Sequence, residues 1–197
     1  MRLLAVADEE DEFLCARLAA GDLPKVDVVV SCGDLRPSYL DYVATMANAP
    51  LLYVRGNHDT DGAGYDVMGG TPLDMRVENI GGLRIAGLDG SLAYREGIVG
   101  YSEAHMCRRA FTLAAKAQLA GGVDVLVTHA PPRGYGDLDD APHRGFVCYN
   151  WLLNLLRPRL MLCGHVHLTY GRMDRERMHP SGARIVNAYG YWLESRP

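Results

Sequence analysis

The sequence predicts an α/β protein in which short buried strands alternate with helices. Five largely apolar runs of three to five residues each end abruptly in polar residues, and they cover residues 3–7, 26–30, 51–54, 123–127 and 160–162. Near-continuous apolar runs of this length are typical of strands that are buried on both faces. Amphipathic stretches between the runs predict helices over residues 11–20, 38–47, 102–119 and 148–156. This alternation indicates a largely parallel sheet.

The helix boundaries have their own local signals. Asp11 and Ser102 are predicted N-caps, because a short polar side chain at that position can accept a hydrogen bond from a free backbone amide. Pro37 stands just ahead of another predicted helix. Two further strands are predicted over residues 83–88 and 184–189, where less helix surrounds them. These two runs favour a second sheet.

Composition excludes several classes of protein. The chain has 197 residues, 20 Lys and Arg against 24 Asp and Glu, and a net charge of −4, which argues against binding nucleic acid through a broad basic face. No apolar run approaches the roughly 18 residues that a membrane span needs, and the apolar N-terminal run is shorter than the roughly 7 residues of a signal-peptide core. The 5 scattered cysteines fit a reducing compartment better than a disulfide framework. We therefore expect a cytoplasmic protein.

Metal-competent side chains follow the predicted strands. Ligands of open α/β sheets bind at the carboxyl ends of the strands. The residues at these ends, in chain order, are Asp8 and Glu10, Asp34, Asn57 and His58, His129, and His165 and His167. Any one of them alone is most simply a turn or loop residue. Their succession at one strand end after another instead indicates a metal site.

Together these motifs resemble the calcineurin-like metallophosphoesterases. The resemblance rests on Gly33-Asp34, Gly56-Asn57-His58-Asp59, Thr128-His129 and Gly164-His165-Val166-His167, and it extends over nearly the whole chain. It implies a four-layer α/β/β/α sandwich of two mixed sheets flanked by helices. It also implies a single domain over residues 1–197 without a cap domain, similar to small bacterial phosphodiesterases.

The resemblance further implies a role for each motif residue. Asp34 would bridge two divalent ions, with Asp8, Glu10 and His167 completing the first position and Asn57, His129 and His165 completing the second. A bridging hydroxide would attack phosphorus in line. His58 would be the general acid, and Asp59 would orient its ring. Asn57 also counts among the residues expected to contact substrate.

One position departs from the pattern of the family. Glu10 stands where the family's first motif, Asp-x-His, has a histidine. A third carboxylate beside two dications is expected to weaken their pull on the bridging water. The harder oxygen ligand favours Mn²⁺ or Fe²⁺, with Zn²⁺ or Ni²⁺ as alternatives.

Further candidates for binding the substrate lie near the motifs. Arg36 could reach a substrate phosphate, although an arginine beside a helix start is also a common solvated surface charge. His143 and Arg144 could overhang the site from an acidic loop, or could simply be solvated there.

Three functions remain open on the sequence. The leading one is a metal-dependent phosphoesterase acting on a small phosphodiester or phosphomonoester. A second is a scaffold with a degenerate site that binds a partner protein, for which Glu10 is the one sign. A third is a nuclease, which the acidic net charge disfavours. The sequence decides neither the natural substrate nor the oligomeric state.

Overall fold

The computed structural model describes residues 1–59, 65, 67–171, 173–195 and 197. Its strands are β1 (Leu3–Ala7), β2 (Val28–Ser31), β3 (Leu51–Tyr53), β4 (Gly70–Pro72), β5 (Val77–Ile80), β6 (Leu83–Leu88), β7 (Ser91–Leu92), β8 (Gly100–Tyr101), β9 (Val125–Thr128), β10 (Leu160–Cys163), β11 (Glu176–Met178), β12 (Arg184–Asn187) and β13 (Gly190–Glu194). Its α-helices are α1 (Glu12–Ala20), α2 (Pro37–Ala47), α3 (Glu103–Leu119) and α4 (Val147–Leu156), and a 3₁₀ turn follows at Leu168–Tyr170.

The strands form two mixed sheets. The first has the order β13-β1-β2-β3-β4 and is parallel except for the pair β1–β13. The second has the order β11-β12-β10-β9-β6-β5, with antiparallel pairs at both of its edges. Strands β7 and β8 pair with each other and form a short two-stranded parallel ribbon.

Alternating side chains pack the two sheets between helices. In β1, Leu3 and Ala5 face an apolar layer shared with the second sheet, whereas Leu4 and Val6 pack against α1 and α2. The outer face of the second sheet packs against α3 and α4. This period of two buries both faces of each central strand. The expected four-layer α/β/β/α sandwich is confirmed.

The predicted helix starts are confirmed at two places. Asp11 accepts a hydrogen bond from the Leu14 amide at 2.6 Å, and Ser102 accepts one from the His105 amide at 3.2 Å. The start of α4 is capped from a neighbouring helix, because the Glu103 carboxylate accepts the amides of Val147 and Cys148. Across the described residues, every helix is too short or too polar to cross a bilayer.

The two runs predicted for a second sheet do lie there, as β6 and β12. The structure adds β9 and β10 to that sheet. The strands that carry the metal-competent residues are therefore divided, with β1, β2 and β3 in one sheet and β9 and β10 in the other. The carboxyl ends of both sheets meet at one edge of the sandwich.

Two motif glycines permit the close approach of the loops at this edge. A Cβ added at Gly56 would lie 2.0 Å from Asp34 Oδ1, and one added at Gly164 would lie 2.4 Å from Asp8 Oδ2. Both distances are far below van der Waals contact. The absence of a side chain at these positions lets the loops bring the carboxylates together.

Asp124→Asn tests an ion pair at the opposite end of the second sheet. Asp124 Oδ2 accepts Arg84 N at 3.0 Å and Arg84 Nε at 2.9 Å, and this hydrogen bonding lowers the pKa of Asp124. Its contribution is thus present above the unfolded pKa of about 3.9 and is lost as pH falls through the lower folded value. We expect the variant to lose about 1 kcal/mol of unfolding free energy at pH 7, because solvent partly screens a pair whose Arg84 and Asp124 side chains are 30% and 16% exposed.

Urea unfolding at neutral pH and at a pH below the lowered folded pKa of Asp124 measures this contribution. The difference from wild type should shrink at acid pH, where Asp124 is protonated in both states. Glu96→Gln, at an exposed acidic side chain, is the control and should show no such difference. A deficit that stays constant with pH would contradict the assignment.

Gly56→Ala should destabilise the protein by at least about 2 kcal/mol, because the new methyl group would displace the Asp34 carboxylate or the loop that carries it. Gly171→Ala is the matched control, since a Cβ there meets nothing within 4 Å and the backbone is extended. It should change the unfolding free energy by no more than about 0.5 kcal/mol. Equal losses in the two variants would refute the close-approach argument.

Candidate metal centre

Five strand ends deliver polar side chains to one place. Asp8 follows β1, Asp34 follows β2 and Asn57 follows β3, while His129 and His165 follow β9 and β10. Asp8, Asp34 and His165 have left-handed backbones, with φ of 63°, 57° and 70°. Non-glycine residues in this region are uncommon and strained, and such strain concentrates at functional sites.

The ligand atoms of this group converge on the buried ring of His129. One ligand atom each from Asp8, Asp34 and His129 lies within 4.8 Å of the other two. His129 Nε2 lies 2.9 Å from Asn57 Oδ1, 3.4 Å from Asp34 Oδ2 and 3.1 Å from His165 Nδ1. Asp8 is held beside them, because both of its carboxylate oxygens accept the His165 amide at 3.0 Å.

Backbone carbonyls fix which nitrogen of each histidine ring carries a hydrogen. His129 Nδ1 lies 2.8 Å from Cys32 O, and His165 Nε2 lies 2.7 Å from Pro142 O. A carbonyl oxygen only accepts, so both of these nitrogens donate. In a neutral ring, the other nitrogen then carries a lone pair. When both rings are neutral, the lone pairs of His129 Nε2 and His165 Nδ1 face each other and the oxygens of Asp34 and Asn57, which is a donor set that suits a divalent cation.

Burial and the close approach of these side chains shift their pKa values. Burial raises the pKa of Asp8 to about 7, and Asp34 adds to that shift. Burial opposes the charge of Asp34, yet the charge and hydrogen bond of His129 hold its pKa at about 2. Burial also opposes the charge of His129, but the carboxylates of Asp34 and Asp8 raise its pKa to about 9. Burial and the neighbouring His129 lower the pKa of His165 to about 3. Positive charge is thus stabilised at His129 Nε2, which ligand atoms of Asp34, Asn57 and His165 approach.

Above these residues lies a cavity of about 300 Å³. It is lined by Asp8, Asp34, Asn57, His58, Tyr94, Pro142, His143, His165, His167 and Tyr170. His129 lies beneath it and is fully buried. The structure thus brings together Asp8, Asp34, Asn57, His129, His165 and His167 from the predicted metal ligands, and adds His58 and His143.

Aromatic contacts orient His167. Its ring stacks on Tyr170 with the centroids 4.8 Å apart and the planes at 11°, and the Tyr189 ring lies 4.8 Å away on a tilted plane. Burial lowers the pKa of His167, which favours the neutral imidazole that a metal requires.

Glu10 and Arg36 contact each other and do not line this cavity. Arg36 Nε donates to Glu10 Oε1 at 2.6 Å, and Arg36 Nη2 donates to Glu10 Oε2. This hydrogen bonding lowers the pKa of Glu10. Arg36 lines a separate cavity of about 310 Å³, which Asp34 and His58 also line. The ligand role of Glu10 and the phosphate contact of Arg36 both stay predictions.

The two remaining loop candidates are separated. His143 lines the cavity, and its Nδ1 lies 2.7 Å from Asp140 Oδ2. Arg144 is exposed and donates to the carbonyl of Asp139 at 2.9 Å, away from the cavity-lining residues. A substrate contact by Arg144 therefore also stays a prediction.

Asp59 ties two loops together. Its Oδ2 accepts the Gly56 amide at 2.7 Å and the Asp34 amide at 2.9 Å. The neighbouring His58 amide donates to Asp34 Oδ1 at 2.8 Å, and the His58 side chain is exposed at the mouth of the cavity. Orientation of the His58 ring by Asp59 stays a prediction.

Sequence reasoning missed three groups in the cavity wall. The Asn57 amide nitrogen lies 3.5 Å from the hydroxyl of Tyr94, which leaves Asn57 Oδ1 turned toward His129. Tyr170 covers His167, and the Pro142 carbonyl fixes the His165 ring. The sequence pattern gives no signal for these three groups. Long-range loop contacts place Tyr94 and Tyr170, and the Pro142 carbonyl belongs to the backbone.

Comparisons with known proteins bear on the family and the fold. Residues 1–188 match the model of the calcineurin-like phosphoesterase superfamily domain. A UPF0046 protein of Caenorhabditis elegans is 38% identical over 55 residues, a match that covers 27% of this chain and 14% of that protein. One solved structure superposes with a TM-score of 0.68 at 15% identity, covering 98% of this chain and 93% of its own.

A 5′-nucleotidase precursor from Thermus thermophilus superposes with a TM-score of 0.53 at 14% identity, covering 98% of this chain and 50% of its own. At these identities the two solved structures speak for the fold alone. The family match extends over nearly the whole sequence and includes all the strand ends described above. The chain therefore belongs to the calcineurin-like phosphoesterase superfamily.

Proposed function

We propose that this protein is a metal-dependent phosphoesterase that hydrolyses a small phosphodiester or phosphomonoester. Metal binding and hydrolysis of phosphoric esters belong to the superfamily that the chain matches. The observation that carries the proposal is the convergence of Asp34, Asn57, His129 and His165 beneath a cavity with His58 at its mouth.

The ligand atoms fall into two groups that share Asp34. Asp34, Asn57, His129 and His165 would hold one ion, and Asp8, Asp34 and His167 would hold the other. A carboxylate with two oxygens can serve both positions in a centre with ions about 3.5–4 Å apart. Glu10 would join the second group only by leaving Arg36. Three oxygen-bearing and three imidazole side chains form a mixed donor set, which fits Mn²⁺ or Fe²⁺ and also leaves Zn²⁺ or Ni²⁺ as alternatives.

His58 and His143 would act on the substrate. Two bound divalent ions would lower the pKa of water and supply a nucleophile at neutral pH. The His58 ring is exposed at the mouth of the cavity, where it can donate a proton to the leaving oxygen. His143, whose Nδ1 donates to Asp140, would donate a hydrogen bond from Nε2 to a phosphoryl oxygen as an imidazolium.

Cavity size and charge support a small ester as the substrate. About 300 Å³ accommodates a phosphate and a modest organic group. The acidic residues Asp139 and Asp140 lie on the His143 side, where they would repel a polyanionic backbone. All five cysteines are free, which supports a reducing, cytoplasmic location.

Metal removal and replacement test the centre. The protein, stripped of metal and resupplied with Mn²⁺, Fe²⁺, Zn²⁺ or Ni²⁺, should bind about two ions per chain and hydrolyse bis-p-nitrophenyl or p-nitrophenyl phosphate. Asp34→Asn should abolish turnover and lower the metal content, because it weakens both positions. Asp139→Asn, at a side chain that is 97% exposed, should do neither.

The alternatives predict different results in the same assay. A wild-type protein without bound ions or turnover would contradict the proposal and favour the scaffold. Activity on an oligonucleotide that falls steeply as salt rises would instead identify a nuclease.

His58→Gln tests the proton donor separately from the metals. The variant should keep the metal content of wild type and lose about 10²–10⁴-fold in kcat. The loss should be larger for a phenyl ester than for a p-nitrophenyl ester, because a poorer leaving group depends more on a proton donor. His105→Gln, at an exposed histidine of α3, is the control. A loss that does not depend on the leaving group would exclude His58 as the general acid.

A further inference from the structure

A buried acid that the site has not used lies directly behind it. Asp89 follows the carboxyl end of β6 and is only 2% exposed. Its Oδ1 accepts the Arg55 amide at 2.8 Å, and its Oδ2 accepts Arg55 Nε at 2.7 Å. Both oxygens of one carboxylate thus hold both the backbone and the side chain of a single arginine.

A second ion pair supports the first. The Asp89 amide donates to Asp74 Oδ1 at 2.9 Å, and Arg109 Nη2 donates to the same oxygen. The Arg109 guanidinium in turn lies 4.3 Å from the centroid of the Tyr101 ring. The backbone of Asp89 is therefore tied to Asp74, and through Asp74 to Arg109 on α3.

Arg55 is the residue that leads into the Gly56-Asn57-His58 loop. The Gly90 amide donates to Arg55 O at 2.8 Å, and the Val99 amide donates to Asn57 O at 3.2 Å. The segment after β6, in the second sheet, thus fixes the loop after β3, in the first. A slight displacement of this loop would carry Asn57 Oδ1 away from His129 Nε2, which it meets at 2.9 Å.

We propose that Asp89 is a positioning residue, which acts through Arg55 to hold Asn57 and His58 in the arrangement that the cavity requires. This role rests on the metal centre proposed above. Replacing a residue that contacts a metal-ligating residue typically lowers metal affinity or activity by about 10–100-fold.

The chain contains a matched control for this contact. Asp124 Oδ2 accepts the backbone amide and Nε of Arg84, at 3.0 and 2.9 Å, whereas Asp89 accepts the same two groups of Arg55 with its two oxygens. Asp124 precedes β9 and so lies at the amino end of the sheet, away from the ligands. Asp89→Asn and Asp124→Asn therefore remove the same kind of charge, one behind the site and one remote from it.

The experiment is a titration of the metal-free proteins with Mn²⁺ by calorimetry and with Co²⁺ by visible absorption, well below each variant's melting temperature. Asp89→Asn should bind one ion about 10–100-fold more weakly than wild type and show an altered Co²⁺ spectrum. Asp124→Asn should match wild type in both. Arg55→Lys is the second variant, for use if Asp89→Asn does not fold. It keeps the positive charge but lacks the Nε contact, so it should show the same weaker binding and altered Co²⁺ spectrum.

Each outcome separates this role from the proposed function. Wild-type affinity and spectrum in Asp89→Asn, with no more than a lower melting temperature, would show a purely structural residue and overturn the inference alone. The same result in Arg55→Lys would overturn it equally. Failure of the wild-type protein to bind either ion would overturn the proposed metal centre and this inference with it.

Discussion

The structure depends on one electrostatic constraint, which is that buried acceptor atoms of Asp34, Asn57 and His165 converge on His129 Nε2. The carbonyls of Cys32 and Pro142 engage the donating nitrogens of His129 and His165, so the opposite nitrogens turn inward. There they meet the oxygens of Asp34 and Asn57. Buried acceptors that face one another are unfavourable unless a proton or a cation lies between them. The site is thus arranged to bind positive charge.

The rest of the fold holds this unfavourable arrangement in place. Left-handed backbones at Asp8, Asp34 and His165 are locally strained, and they persist because regular strands precede each of them. The strands themselves are secured by apolar contacts on both faces. The clustered side chains come from two different sheets, so no single loop can relax the cluster. Asp59 and Asp89 reinforce this from two directions, since each holds backbone amides of the loop after β3.

The strand-end rule recovered much of the centre from sequence, because apolar runs locate strand ends and strand ends locate ligands. It gave β1 and β6 with their observed bounds, and it gave Asp8, Asp34, Asn57, His129 and His165 as neighbours. The same rule would have found Asp89, an acid directly after β6, had the strand over residues 83–88 been treated like the others. It could not have found Tyr94 or Tyr170, whose places depend on loop contacts. The direction of Glu10 was equally hidden, because it follows a turn at Asp8 that the pattern does not encode.

The pairing of Glu10 with Arg36 changes the charge balance expected from sequence. Three carboxylates beside two ions would make the centre more negative and its water less acidic. In the structure the third carboxylate is matched by a guanidinium outside the cavity. In the proposed centre, Asp8 and Asp34 would provide the negative charge, and Asn57, His129, His165 and His167 would provide neutral ligand atoms. A centre with this balance would keep the acidifying power of bound ions, so the departure from Asp-x-His at Glu10 is compatible with the proposed activity. The charge that Glu10 adds to the sequence is balanced by Arg36, two residues beyond Asp34.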